Sequence, residues 1–83
     1  MKYRQKYPQF MELKGKIITK GYSQERLANE MCISVESLNR KLNGIRDWQF
    51  KEIVDLVRIL EIHEEEINKY FFVETLRNSN KIS

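Results

Sequence analysis

Two short helices separated by a very short break constrain this chain more than any other feature. Ser23 is suited to cap a helix of about two turns, and Ser34 is suited to cap a second one soon after it. The pair Asn43-Gly44 is then a stop signal. Helices this short are not stable alone, so a shared core must hold them at a steep angle to each other. This pattern is typical of a helix-turn-helix.

Three apolar residues can form the core between these two helices. Ala28 is small enough to let the second helix cross close to the first, and Ile33 fills the turn. Leu38 anchors the second helix from below. The sequence therefore predicts a tightly packed unit over residues 23–44.

The rest of the chain has helical rather than strand-like periodicity. Apolar residues recur at spacings of three and four, which predicts an all-α fold, a compact bundle of about five short helices. The predicted helices cover residues 8–20, 24–31, 35–43, 50–60 and 64–72. The predicted core consists of Leu13, Ile17, Leu27, Ala28, Ile33, Leu38, Leu42, Ile53, Leu56 and Leu60.

Some single residues carry expectations of their own. We expect Cys32 and Phe50 to lie in the core, and Tyr22 to pack beside the first helix. Trp48 could form a dimer contact or cover the core. Phe71 and Phe72 are adjacent, so they cannot both face inward, and one of them is expected at a subunit interface. Gly15 costs helix stability, which indicates either close packing against it or a locally weak helix.

Composition excludes several classes of function. The chain of 83 residues has one Cys and one His, so it has neither an internal disulfide nor a zinc-finger ligand set. No nucleophile–base pair is evident, and we expect no enzyme activity, no cofactor, no metal and no small-molecule substrate. No apolar run approaches the about 18 residues of a membrane span, and the first residues lack the apolar part of a signal peptide. The expected location is cytoplasmic, without a membrane partner.

The charge distribution is uneven although the net charge is only +3. Residues 1–20 contain six Lys or Arg and one Glu, whereas residues 51–72 contain three basic and six acidic residues. Such a dipole is expected of a small protein that presents one face to a polyanion, although a solvated lysine-rich helix fits the charge about as well. We divide the chain into a mobile basic arm (1–7), a helix-turn-helix domain (8–72) and a C-terminal tail (73–83).

The motif resembles a known family. Residues 24–34, which read QERLANEMCIS, and the continuation through Leu38 to Asn43-Gly44 resemble the lambda-repressor-like (Cro/CI, XRE-type) DNA-binding domains. Residues 13–17 and 69–72 are similar to a small phage-regulator branch of that family. Two departures stand out. Cys32 occupies a position where the family usually has Gly with positive φ, which predicts a strained or reshaped turn. Leu42 lies one position later than the second apolar residue of the corresponding helix in many members, which could rotate the end of the predicted helix 35–43.

The resemblance implies that the second helix of the motif enters the major groove of operator DNA. The Arg40 side chain would then be suited to hydrogen-bond guanine, and the Asn39 side chain to hydrogen-bond adenine. The residues expected to contact bases are Val35, Glu36, Ser37, Asn39 and Arg40. The residues expected to contact the DNA backbone are Ser23, Gln24, Lys41, Asn43 and Arg46. The possible contacts from the arm are Lys2, Arg4 and Lys6, which could equally belong to a solubilising tail.

The function that the resemblance implies is a phage or prophage transcriptional regulator, Cro-like or repressor-like, that binds double-stranded operator DNA as a two-fold homodimer. Two alternatives remain open at this point. One is the antitoxin half of a toxin–antitoxin pair, which would have a toxin as a partner. The other is a protein-interaction module that has lost DNA binding and uses the acidic surface of the last two helices.

Overall fold

The polypeptide folds as a bundle of short α-helices, as the apolar periodicity predicts. The computed structural model describes residues 5–72, and within them it contains five α-helices and no strand. The α-helices are α1 (Met11–Thr19), α2 (Gln24–Glu30), α3 (Val35–Leu42), α4 (Phe50–Ile59) and α5 (Ile67–Phe71). A short 3-10 turn, Glu64–Glu66, directly precedes α5. The prediction of an all-α fold with about five helices is therefore confirmed.

Two helix boundaries differ from the sequence prediction for identifiable reasons. The first helix was expected from residue 8 but begins at Met11. The residues before it lie against the end of α3, where the Phe10 N–H donates to the Leu42 carbonyl at 2.9 Å. The last helix was expected as one segment, but the 3-10 turn occupies its first three residues. The remaining helix ends agree with the prediction within about two residues, which is the usual uncertainty of such assignments.

Leucines form the centre of the core, and every helix contributes at least one buried side chain. Leu38 and Leu42 of α3 pack with Leu13 of α1 and Leu56 of α4, all with no exposed surface. Of the predicted core, Ile33 and Ile53 are only half-buried, and the other eight residues are buried. The buried apolar residues that the prediction omitted are Phe10, Met31, Ile62, Tyr70 and Phe71.

The aromatic residues divide between core and surface. Phe50 was expected in the core, but 81% of it is exposed. Leu56 and Leu60 define the inner side of α4 with Glu52 one turn before them, and Phe50 lies away from that row. Trp48 covers the core, with its ring edge-to-face between Phe10 at 5.9 Å and Phe71 at 6.0 Å.

Two further expectations about aromatic residues concern Tyr22 and the pair at the end of α5. Tyr22 packs against the core, as expected, and its ring lies 4.7 Å from the Arg26 guanidinium. Phe71 is buried and Phe72 is 43% exposed, so only one of the two faces inward.

The segment that directly precedes α1 is hydrogen-bonded to Gly44, just after α3. The N–H groups of Lys6 and Tyr7 donate to the Gly44 carbonyl at 2.7 and 3.0 Å. Gly44 has φ +79, and a Cβ there would overlap the Tyr7 carbonyl, so this position requires glycine for two reasons. Within the expected basic arm of residues 1–7, Lys6 and Tyr7 therefore contact the end of α3. Residues 1–4 and the tail of residues 73–83 lie outside the described residues.

Candidate nucleic-acid interface

The α2–α3 unit, residues 23–44, is held together by its caps and by its buried residues. The Ser23 hydroxyl accepts from the Arg26 N–H at 3.1 Å, and the Ser34 hydroxyl accepts from the Ser37 N–H at 3.0 Å. Both serines thus satisfy an N–H that the first helical turn leaves without a partner. Ala28 and Leu38 are buried between the helices. The two caps confirm where each helix begins.

The turn between α2 and α3 uses a left-handed residue. Cys32 has φ +60, and its N–H donates to the Asn29 carbonyl at 3.1 Å. Cys32 thus adopts the positive φ that glycine adopts most readily, and a residue with a side chain is strained in that region. Cys32 was expected in the core, but it is exposed. Its neighbours Met31 and Ile33 point inward, and the left-handed conformation directs the residue between them outward.

The five residues expected to contact bases differ in their exposure. Val35, Glu36 and Asn39 are exposed on the outer side of α3, whereas Ser37 is half-buried. Arg40 is also half-buried, with 19% of its side chain exposed, and its Nη2 donates to Glu36 Oε2 at 3.2 Å. Arginine and glutamate are therefore joined across one helical turn. A contact between Arg40 and a base would have to replace this ion pair or include it.

A line of hydrogen bonds connects α3 to α2 and α1. The Asn39 amide donates to Gln24 Oε1 at 3.3 Å, and the Asn43 amide donates to Asn39 Oδ1 at 3.1 Å. Lys14 Nζ then donates to Asn43 Oδ1 at 2.6 Å. The structure thus brings together three predicted contact residues, Gln24, Asn39 and Asn43. Sequence reasoning missed Lys14, because it lies 29 positions before Asn43 and no local pattern connects the two.

Lys41 is wrongly included in the predicted set of residues that contact the DNA backbone. It was expected to face the DNA backbone, but it is buried, and its ammonium forms an ion pair with the buried Glu52 carboxylate. Lys41 lies three residues after Leu38 and therefore on the inner side of α3. Glu52 Oε1 also accepts from the Gln49 N–H at 2.8 Å, which caps the start of α4. This ion pair thus fixes α3 against α4, and Lys41 is not available to a phosphate.

The remaining predicted contacts lie at the two ends of the α2–α3 unit. Ser23 and Arg46 are exposed. Lys6 lies beside Asp47, with 3.5 Å between Nζ and Oδ2, while the Tyr7 hydroxyl donates to Asp47 Oδ1 at 2.7 Å. The Tyr7 hydrogen bond, followed by the charge of Lys6, holds the pKa of Asp47 below its ordinary value. Lys2 and Arg4 lie outside the described residues.

The chemistry available at this surface is hydrogen bonding and charge. Over residues 5–72, no group of three His, Cys, Asp or Glu side chains could hold a metal ion. Among the same residues, no helix is long and apolar enough to cross a membrane. Amide, hydroxyl and guanidinium groups along one helix can exchange hydrogen bonds with a polar partner. Such groups are suited to recognising base edges and phosphates rather than to carrying out covalent chemistry.

Comparison with known proteins identifies both a family and a structural relative. Residues 6–74 match the family described as "Protein of unknown function (DUF739)". The fold is similar to the solution structure of the modulator of repression (MOR) of the temperate bacteriophage TP901-1 from Lactococcus lactis. The two chains are 35% identical, the TM-score is 0.65, and the match covers 78% of this chain and 88% of that one. No curated protein matches the chain.

Proposed function

This chain belongs to the DUF739 family, and we propose that it is a phage-type regulator that binds double-stranded operator DNA through α3 and the start of α2. The similarity to a protein that modulates repression in a temperate phage supports the regulatory role. The organisation of the α2–α3 unit supports DNA as the partner. In this proposal the unit is a helix-turn-helix of the lambda-repressor-like type.

The observation that carries the proposal is the contrast between the two sides of α3. Its inner side is fixed, because Leu38 and Leu42 are fully buried. Its outer side presents Asn39, and the hydrogen bonds of Asn39 to Gln24 and Asn43 hold this amide in a defined orientation. A rigid helix with ordered polar side chains is what direct reading of bases in the major groove requires.

The positions of the side chains support the following roles within this proposal. In the complex, Asn39 and Arg40 contact base edges, with Val35, Glu36 and Ser37 around them. Arg40 takes guanine in a bidentate contact, which replaces its hydrogen bond to Glu36. The groups that contact the backbone are those of Ser23, Gln24, Asn43 and Arg46, with Lys2, Arg4 and Lys6 on the N-terminal side.

A selection from a random pool of duplexes tests this function. We expect recovery of an inverted repeat whose two half-sites lie about 34–36 Å apart, because a two-fold dimer presents two α3 helices to successive major grooves. A non-palindromic site protected over one groove would contradict binding as a dimer. It would indicate that the protein binds its site as a monomer. A recovered pool no different from the input would contradict DNA reading altogether.

A second assay tests the phosphate contacts. Replacing the N-terminal residues up to Lys6 by Gly and Ser should weaken binding to every duplex. It should also reduce the slope of log K against log salt by roughly 0.9 for each phosphate that the protein no longer neutralises. An unchanged slope would show that these cations do not contact the DNA.

A second candidate function is a protein-binding module that acts on another regulator without contacting DNA. The observation that favours it is the charge of the central region. Residues 21–50 contain four basic and four acidic residues, so they have no excess positive charge to attract phosphates. Glu36 also stands exposed on the outer side of α3. The pool selection distinguishes the two functions, since a protein-binding module enriches no sequence.

A further inference from the structure

The outer side of α1 carries an apolar patch that the proposed DNA interface does not use. Met11 is 64% exposed and Ile18 is 74% exposed, although both are large apolar side chains. The spacing of seven residues places them on the same side of the helix, with Gly15 between them. We call Met11, Gly15 and Ile18 the α1 patch. Large exposed apolar side chains grouped on one side of a helix mark an interaction site more often than isolated ones do.

Among the described residues, no neighbouring atom requires a glycine at position 15. A Cβ at this position would meet nothing within 4 Å. Glycine in the middle of a helix costs stability relative to alanine, and α1 gains nothing in packing from it. Beside it lies a groove of about 390 Å³, lined by Met11, Glu12, Gly15, Lys16, Thr19 and Tyr70. A helix from another molecule can approach the backbone of α1 closely at this point.

We propose that the occupant of the α1 patch is the α1 helix of a second copy of this chain, packed antiparallel and crossing near Gly15. Such a contact is two-fold symmetric, so residue i meets j and j meets i. With the crossing near Gly15, Met11 of each copy lies opposite Ile18 of the other. Glycine at the crossing allows the two backbones to approach.

The charges beside the α1 patch are complementary in this arrangement. Glu12 and Lys16 both lie on the side of α1 that faces α5, where Lys69 lies 3.9 Å from Glu12 and Lys16 lies 5.9 Å from the Tyr70 ring centre. An antiparallel pair brings Glu12 of each copy close to Lys16 of the other. A second copy therefore matches both the apolar residues and the charges, which favours it over an unrelated helix.

The arrangement has a consequence that rests on the proposed function. Lys14 points from α1 toward Asn43 at the end of α3, whereas Lys16 points toward α5 on the other flank of the α1 patch. A two-fold axis perpendicular to the plane of the two α1 helices keeps each flank on one side of the dimer. Both α3 helices then lie on the same side, as two half-sites of one operator require.

The dimer is weak. One helix of nine residues per copy, with the groove beside it, gives an interface smaller than the standard size of specific complexes. Affinity does not follow from area alone, but so small a contact predicts an equilibrium that is visible only when the protein concentration is varied. DNA would favour the dimer by holding two copies together.

Sedimentation equilibrium of the protein without DNA, over a range of concentrations, tests the proposal. The wild type should show a monomer–dimer equilibrium. Ile18→Asp should raise the dissociation constant at least about tenfold, because it places a carboxylate in the apolar contact. Phe50→Asp is the matched control, since it removes another highly exposed apolar side chain on a different helix. It should leave the dissociation constant unchanged.

Two further variants separate a dimer contact from a structural role. Gly15→Leu should weaken the dimer while raising the thermal midpoint of the monomer, because leucine favours the helix and its Cβ meets no neighbour. Glu12→Lys should weaken the dimer through repulsion of Lys16 in the other copy. Adding Lys16→Glu to it should restore the dimer, because the double exchange restores the pairing.

Two results would overturn the proposal. These are a monomer at all concentrations and equal effects of Ile18→Asp and Phe50→Asp on the dissociation constant. None of these measurements involves DNA, so a failure here leaves the proposed function standing. Conversely, a dimer that enriches no duplex would contradict the proposed function and leave this inference intact.

Discussion

Helices α1 and α3 are alike on their inner sides and opposite on their outer sides. Each has two buried aliphatic side chains facing the core, Leu13 and Ile17 in α1 and Leu38 and Leu42 in α3. The outer side of α1 presents the apolar α1 patch, whereas the outer side of α3 presents the polar groups of Glu36, Asn39 and Arg40. The inner sides hold the fold, and the outer sides differ because the proposed partners differ. An apolar patch suits a protein surface, and ordered polar groups suit DNA.

The largest expected effect concerns the inner side of α3, where a charged residue lies among leucines. Lys41→Met should destabilise the protein by about 3–5 kcal/mol, because it leaves the buried Glu52 carboxylate without its cation. Chemical denaturation gives this free energy of unfolding. Lys41→Met combined with Glu52→Gln should recover much of the loss, since the glutamine can still accept from the Gln49 N–H. A single variant as stable as the wild type would show that the ion pair does not fix α3 against α4.

A smaller loss is expected from the apolar part of the same inner side. Leu38→Ala should cost roughly 2–5 kcal/mol, because it removes a fully buried side chain and leaves a cavity. Val35→Ala, on the exposed side of the same helix, is the control and should change stability little. An unchanged thermal midpoint for Leu38→Ala would mean that α3 is not anchored through this leucine.

A change of opposite sign is expected on the outer side of α1. Gly15→Ala should stabilise the monomer by about 1 kcal/mol, because alanine favours the helix and its Cβ meets no other atom. Thermal unfolding at low concentration, where the monomer dominates, measures this gain. If the variant loses stability instead, an unseen contact already occupies the space beside Gly15.

The smallest effect concerns the segment that links the start of α1 to the end of α3. In the folded protein the pKa of Asp47 lies below its ordinary value of 3.8, chiefly because of the Tyr7 hydroxyl. A lowered pKa contributes stability above the ordinary value, and this contribution disappears as the pH falls through the folded pKa. Tyr7→Phe should therefore raise the pKa of Asp47 and lower the thermal midpoint slightly at neutral pH. NMR titration of Asp47 and unfolding in acid, where the difference should vanish, check both parts.

Much of the fold was predictable from local patterns. Ser23 and Ser34 mark the starts of α2 and α3, because capping depends on the residue type at one position. Asn43-Gly44 marks the end of α3, because Gly44 adopts positive φ there. The leucine spacing identified most of the core. These signals act within one or two helical turns, so the sequence contains them directly.

Two of the errors arose where distant parts of the chain meet. Lys41 was expected to contact the DNA backbone because it lies near the end of the helix that the resemblance places in the major groove, yet Glu52 from another helix provides a buried partner. Phe50 was assigned to the core because it fits the apolar spacing, yet Glu52 occupies the inner side of that helix's first turn. The line from Gln24 through Asn39 to Lys14 likewise joins three helices. No window of sequence contains such contacts.

Two arginines, compared with each other, test whether α3 reads DNA sequence. Arg40 on α3 and Arg58 on α4 each form an ion pair with an acidic residue about one turn earlier in the same helix. Binding of each alanine variant to the selected duplex and to a scrambled duplex would be measured at the same salt concentration. Arg40→Ala should cost about 1–3 kcal/mol on the selected duplex and little on the scrambled one, whereas Arg58→Ala should not discriminate between them. Equal losses on both duplexes for Arg40→Ala would contradict the claim.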